Sequence, residues 1–161
     1  MVTAYQLAAA VVDPELPMLT IADLGILREI RTDGDRVVVT ITPTYAACPA
    51  MDTIRTEIVA ALRRGGWPEV EVVTTLYPPW TTDWITPAGR EKLAAAGIAP
   101  PGATGPASGS GRSLPLLPPA PACPRCGSSR TEQVSVFGAT ACTSIWRCRA
   151  CAEPFPHVKA F

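Results

Sequence analysis

Residues 1–97 read as a small α+β domain, and residues 123–161 as a separate β module organised by cysteines. Three observations carry this reading. Hydrophobic periodicity over residues 1–97 follows the order helix, strand, strand, helix, strand, which implies a three-stranded sheet covered by two helices. Two Cys-x-x-Cys pairs, Cys123/Cys126 and Cys148/Cys151, stand about twenty residues apart, the usual layout of a four-thiolate zinc-ribbon-like site. Between these regions the composition changes: of the 26 residues 97–122, 12 are Pro or Gly, none is aromatic, and Arg112 is the only charge. Residues 98–122 are therefore expected to form a linker, flexible around Ser108-Gly109-Ser110-Gly111 and stiffer over residues 114–121. A Pro-rich ligand of the SH3 type is the other reading of that stretch.

Bulk properties narrow the function classes. A chain of 161 residues holds one or two small domains. Its 47% hydrophobic and 17% charged residues are those of a globular protein. Formal charge is zero overall but unevenly spread: residues 1–97 carry 12 acids and 8 bases, net −4, and residues 123–161 carry 2 acids and 5 bases, net +3. Neither part is basic enough to require a nucleic acid, although the +3 keeps a nucleic-acid-binding ribbon among the readings. No apolar run has the length of a membrane span, and the N-terminus lacks the basic-then-apolar pattern of a signal peptide. A reducing cytoplasm is expected, where Cys-x-x-Cys pairs read as metal ligands and not as disulfides.

In chain order, residues 3–12 are expected to be a short helix with Thr3 as its cap. Asp13-Pro14-Glu15-Leu16-Pro17 stops it, since a residue before proline is pushed out of the helical region. Residues 26–31 and 36–42 read as two strands joined at Asp33-Gly34, a strong hairpin signal. Met51, Ile54, Ile58 and Leu62 lie at helical spacing, and Gly65-Gly66 ends that helix. Residues 70–76 form the third strand. Trp80 and Trp84 follow in a proline-containing stretch, where they either seal the sheet edge or form a partner-binding patch. Thr86-Pro87 opens a last helix that runs to Ala96 and stops at Gly97.

Two places carry candidate chemistry. The first is the strand-to-helix connection Thr42-Pro43-Thr44-Tyr45-Ala46-Ala47-Cys48-Pro49. Pro49 suits the first helical position, which sets Cys48 at or beside the N-cap. Unpaired N–H groups and the positive end of the helix dipole there favour a thiolate, the form that binds soft metals. The alternative is a small buried apolar residue. The second place is the cysteine tail. Only about 39 residues remain there, too few for a self-supporting core, so a metal held by Cys123, Cys126, Cys148 and Cys151 must supply much of the folding energy. Structural zinc leads, with rubredoxin-like iron or a redox-active Cys-x-x-Cys as alternatives. Gly127 can supply a positive φ after the first pair, whereas Ala152 follows the second. Between the pairs, residues 132–137 and 143–147 can form a hairpin around Gly138. Cys142 reads as a packed thiol or a substitute ligand, and His157, the only histidine, as a surface residue or a ligand. Asp13, Glu15 and Asp23 suggest acid–base work, but acids in a proline turn more often cap backbone N–H groups.

Asp13-Pro14-Glu15-Leu16-Pro17, Asp23-Leu24-Gly25, and Thr42-Pro43 leading to Cys48-Pro49 resemble the metal–sulfur cluster assembly domain of the SufT-like proteins, over roughly residues 3–77. Cys123-Pro124-Arg125-Cys126-Gly127-Ser128, Phe137-Gly138-Ala139-Thr140-Ala141-Cys142, and Arg147-Cys148 through Glu153-Pro154-Phe155 extend the similarity. Together they resemble the PaaD family of the phenylacetyl-CoA epoxidase system over nearly the whole chain, the linker excepted. The resemblance implies a non-catalytic accessory role in aerobic phenylacetate breakdown. It implies help with assembly or insertion of an iron–sulfur cluster in a partner such as the epoxidase reductase subunit. Cys48 matches the cysteine the assembly family uses for cluster binding, with Asp13, Glu15, Asp23 and Thr42 as its supporting loop. Clusters normally take four thiolates, so a single cysteine needs a homodimer, an exogenous thiol or the partner's own cysteines. A structural adaptor that docks on the oxygenase or reductase through Trp80, Trp84 and the ribbon is the alternative.

Overall fold

The structure, a computed structural model, describes residues 2–45, 48–102 and 120–161. Most of the expected linker, including residues 114–119, lies outside the described residues, as do Ala46 and Ala47. The chain divides into two compact units, Met1–Gly89 and Arg90–Phe161.

In the first unit, helix α1 (Ala4–Ala9) is held by a capping box. The Thr3 hydroxyl accepts the Gln6 N–H at 3.2 Å, and the Gln6 side chain accepts the Thr3 N–H at 2.9 Å. The helix stops three residues short of the expected end because its last residues are drawn into extended pairing. Val12 bridges to Thr20, and the Val11 carbonyl accepts the Ile21 N–H at 2.9 Å. β-Branched side chains fit that geometry better than a helical one.

Strands β1 (Leu27–Asp33) and β2 (Arg36–Ile41) form the expected antiparallel hairpin. Asp33 pairs with Arg36, so the turn centres on Gly34 and Asp35, one residue later than the Asp33-Gly34 signal suggests. Helix α2 (Ala50–Arg64) then returns the chain to β3 (Glu69–Thr74), which lies parallel to β2. The sheet order is β1-β2-β3. Val37, Val39 and Ile41 of β2, with Ile54, Ile58 and Leu62 of α2, are fully buried. Removing each such side chain from water stabilises the fold by about 1.5–3 kcal/mol. Helix α2 ends as its glycines predict: Gly66 takes φ 95°, and the Trp67 N–H reaches back to the Leu62 carbonyl at 3.1 Å. Ile41 pairs with Thr74, so the two parallel strands end together. The connection carrying Cys48 leaves from that end, where open α/β sheets usually hold their sites.

The tryptophans pack on their own unit. Trp80 is buried and its indole N–H donates to the Leu24 carbonyl at 2.8 Å. Trp84 is half-buried and lies under the Arg28 guanidinium, 3.7 Å from the ring centre. A short 3₁₀ turn, Thr82–Trp84, carries Trp84.

Helix α3 (Pro87–Ala95) leads into the second unit. It closes with the Ile98 N–H on the Leu93 carbonyl at 2.9 Å, and both side chains are buried. Strands β4 (Thr131–Ser135), β5 (Thr143–Cys148) and β6 (Pro154–Val158) form an antiparallel sheet of order β4-β5-β6. The β4–β5 hairpin was legible in the sequence. Strand β6 was not, because Pro154 and Pro156 argue against a ladder position. It is an edge strand, and its outer side is met by Ala99: the Ala99 N–H donates to the Pro156 carbonyl at 2.8 Å, and the Val158 N–H donates to the Ala99 carbonyl at 3.1 Å. Both prolines turn their missing N–H toward that outer side, so the pairing with β5 loses no donor.

Candidate functional site

The ribbon unit brings four sulfurs together. Cys123 and Cys126 flank a turn ahead of β4, Cys148 ends β5, and Cys151 lies in the turn before β6. Their sulfur atoms all lie within 4.8 Å of one another, with Cys123 to Cys151 at 3.8 Å and Cys126 to Cys148 at 3.6 Å. A tetrahedral metal with metal–sulfur bonds of about 2.3 Å sets its ligands about 3.8 Å apart, so the residues present fit a four-thiolate metal site.

Each turn is built by the backbone. The Gly127 N–H donates to the Cys123 carbonyl at 2.8 Å, and the Cys148 N–H donates to the Glu153 carbonyl at 2.9 Å. Gly127 has φ 73°, and Ala152, its counterpart in the second turn, is held at φ 62°. An alanine is strained there, which implies that the turn geometry prevails over the side-chain preference. Backbone N–H groups of Cys151 and Ala150 directed at the Cys148 sulfur, the first contributing most, outweigh burial and hold that thiol down to about 6. Cys148 is the most buried of the four. Arg125 pairs with Glu153, and Arg149 with Glu132 at 2.6 Å, all at the surface. Exposed pairs of this kind contribute about 0–1 kcal/mol each.

Cys142 and His157 lie elsewhere in this unit. Half-buried Cys142 has the Thr140 hydroxyl 3.0 Å from its sulfur. His157 is half-buried, with Nδ1 3.4 Å from the Ser144 hydroxyl and its ring edge-on to Trp146 at 5.9 Å. The Trp146 indole N–H donates to the same hydroxyl at 3.0 Å. This trio was not legible in the sequence, because it depends on the β5–β6 pairing that places Ser144 opposite His157.

Burial lowers the His157 pKa below its ordinary 6.5, so the unfolded chain takes up the proton more readily. The stability that neutral His157 contributes is complete above pH 6.5 and is lost as pH falls through the lower folded value. Thermal stability of the ribbon is expected to fall below pH 6.5 by more in the wild-type chain than in His157→Gln. Melts of the metal-loaded chain on both sides of that pH check this, and equal slopes in the two proteins would remove His157 from the account.

In the first unit, Cys48 lies beside the N-cap as expected, while Pro49 is displaced from the expected first helical position. Pro49 is the N-cap of α2 and Ala50 its first helical residue, so Cys48 sits just outside the helix. The residue is half-buried. The thiol is raised above the ordinary cysteine value, against the expectation that the helix start would favour a thiolate. Burial is the main cause. The Ala50 N–H and the Thr44 side chain, hydrogen-bonded to the sulfur, pull it down, while Glu15 and Asp13 add to the rise.

The remaining loop residues sort by their bonds. Asp13 is buried and accepts the N–H groups of Glu15 and Leu16, both at 2.8 Å, which makes it the fastener of the proline turn. Asp23 and Thr20 cap each other: the Asp23 carboxylate accepts the Thr20 N–H at 2.9 Å, and the Thr20 hydroxyl accepts the Asp23 N–H at 3.1 Å. Burial, then Asp13, raises the pKa of Glu15. Thr42 is buried, its hydroxyl without a hydrogen-bond partner among the described residues. Tertiary folding thus brings Asp13 and Glu15 within electrostatic reach of Cys48. Asp23 and Thr42 hold backbone: Asp23 caps its turn, and the Thr42 N–H bonds the Ile26 carbonyl at 2.9 Å.

Comparison with known proteins bears on both units. Residues 8–75 match the family described as "Iron-sulfur cluster assembly protein", and residues 109–159 match the "PaaD zinc beta ribbon domain". A protein of Escherichia coli (strain K12), provisionally named as one of the subunits of 1,2-phenylacetyl-CoA epoxidase, is 43% identical over 156 residues, covering 96% of this chain and 90% of that protein. The crystal structure of a Domain of Unknown Function DUF59 from Bacillus anthracis is 28% identical with a TM-score of 0.53, covering 56% of this chain and 87% of that one. Among the described residues, no helix is long and apolar enough to cross a membrane.

Proposed function

The chain belongs to the PaaD family of phenylacetyl-CoA epoxidase subunits, and from that membership we propose that it is an accessory subunit of the epoxidase system that assists assembly or insertion of an iron–sulfur cluster in a partner subunit. One observation carries the reading: a cluster-assembly domain, with a half-exposed cysteine where its parallel strands end, shares one chain with the ribbon of this family. The partner is another epoxidase subunit, the iron–sulfur reductase first, and the work takes place in the cytoplasm.

The two metal sites have different tasks. Cys123, Cys126, Cys148 and Cys151 would hold a structural zinc, which when bound ties the end of β5 and the two turns together. Cys48 would meet the cluster as cargo. Its raised thiol is protonated when free, so a sulfur–iron bond forms as the proton leaves to solvent. One protein thiolate leaves the other cluster positions to the donor's or recipient's cysteines, or to a second copy of the chain. Exchange then proceeds by a recipient thiolate replacing Cys48 at iron, after which Cys48 is reprotonated. Such incomplete ligation suits a carrier that must release what it holds. Asp13 keeps the loop shaped, and burial, with a smaller contribution from Glu15 and Asp13, keeps the free thiol protonated.

The test is Cys48→Ser expressed together with the epoxidase subunits. Iron and sulfide in the reductase are expected to fall several-fold, with the chain's zinc and fold unchanged. Unchanged reductase iron would favour a purely structural adaptor. An adaptor would have to use a surface other than the tryptophans, since Trp80 is buried and Trp84 is covered by Arg28.

A further inference from the structure

We propose that the open edge of the ribbon sheet, along β4 and the residues that follow it, docks an extended acidic segment of another epoxidase subunit. This rests on the assignment of the chain to the epoxidase system, and not on the role of Cys48.

The two edges of the sheet are treated differently. The β6 edge is closed by two prolines and by the pairing with Ala99. The β4 edge pairs with no strand among the described residues. Natural sheets usually blunt such an edge with proline or charge. Residues 131–137 contain no proline, and their one charge, Glu132, is taken up by Arg149. In place of those guards stand Val134, Val136 and Phe137, which are 61%, 58% and 70% exposed. An irregularity between Gln133 and Ser135 takes Val134 out of the ladder with β5. Phe137 is held in a defined turn: its N–H donates to the Ser135 hydroxyl at 3.2 Å, and that hydroxyl donates to the Phe137 carbonyl at 2.8 Å. A fixed, exposed aromatic beside an open strand edge suits strand addition, where main-chain bonds give affinity and apolar side chains give specificity.

Charge selects the occupant. Residues 123–161 carry five bases and two acids, and both acids are held in ion pairs, with Arg125 and with Arg149. Arg130 stands at the start of β4, and the Lys159 ammonium lies 4.5 Å from the centre of the Phe137 ring at the other end. A second copy of this edge would bring like charges together, whereas an acidic apolar strand complements both ends.

The experiment titrates the full-length, metal-loaded chain with each purified epoxidase subunit, following its backbone amides by NMR. Shifts centred on residues 131–137 are expected with one subunit. Val136→Glu should weaken that binding by about tenfold or more, and Val136→Lys by less, with metal content unchanged in both. Equal binding by wild type and both variants would overturn the proposal, as would shifts that appear with rising concentration of the chain alone. So would single-stranded nucleic acid, in place of any subunit, perturbing these residues. Cys48→Ser should dock like the wild type, so a chain that docks but transfers no iron would defeat the carrier reading and leave this one standing.

Discussion

Chelating the ribbon metal, or replacing Cys148 with serine, is expected to unfold β4–β6 while the β1–β3 unit remains folded. The ribbon's own core explains the size of the effect. Its buried cluster consists of Ala99, Cys123, Cys148 and Phe155, with Trp146 packed against it, so half of the buried residues are ligands. So small an apolar interior does not outweigh the ordering of about 39 residues. Structural zinc in comparable modules supplies roughly 10–16 kcal/mol of apparent binding energy at neutral pH, which becomes folding energy. The first unit has no such dependence, since its core rests on β2 and α2. Calorimetry of the full chain should show two transitions, of which only one moves on chelation. One cooperative transition that shifts as a whole would contradict two independently folding units.

Gly25→Ala is expected to be the most damaging single-atom enlargement in the first unit. Gly25 has φ 71°, and an added Cβ would lie 2.7 Å from both Cβ and the carbonyl oxygen of Trp84. The backbone conformation costs an L-residue about 1–2 kcal/mol, and forcing Trp84 away costs about 1–3 kcal/mol more. The displaced ring would also leave the Arg28 guanidinium. Gly34→Ala provides the comparison, because Gly34 has φ 56° and nothing within 4 Å of the new atom. It should show the backbone cost alone. Denaturant midpoints measure the difference, and equal losses in the two variants would mean that the Trp84 contact is not what requires glycine at 25.

Where local pattern and tertiary structure agree, the sequence was sufficient. The stripe Met51, Ile54, Ile58, Leu62 and the alternation of Val37, Val39 and Ile41 each name the buried face of one element. The four-sulfur site was equally legible, because its ligands come in pairs whose spacing builds the turns. Strand β6 failed the same reading, since proline penalises a strand only where the N–H is needed, and edge position is a property of the whole sheet. Helix α1 fell short because Val11 and Val12 pair with residues 20 and 21, a partner that propensity over residues 3–12 does not contain. The thiol of Cys48 shifted the unexpected way for a related reason. Its helix start is local, but its burial is tertiary and the carboxylates of Asp13 and Glu15 arrive from more than thirty residues away.

That sulfur is where the account is most exposed to test. The chain, loaded with iron and sulfide under anaerobic conditions, would be mixed with cluster-free reductase, and the iron and sulfide acquired by the reductase measured. Wild type should deliver both, while Cys48→Ser should deliver neither and keep its ribbon metal in full. Equal delivery by the two proteins would show that no cluster passes through Cys48.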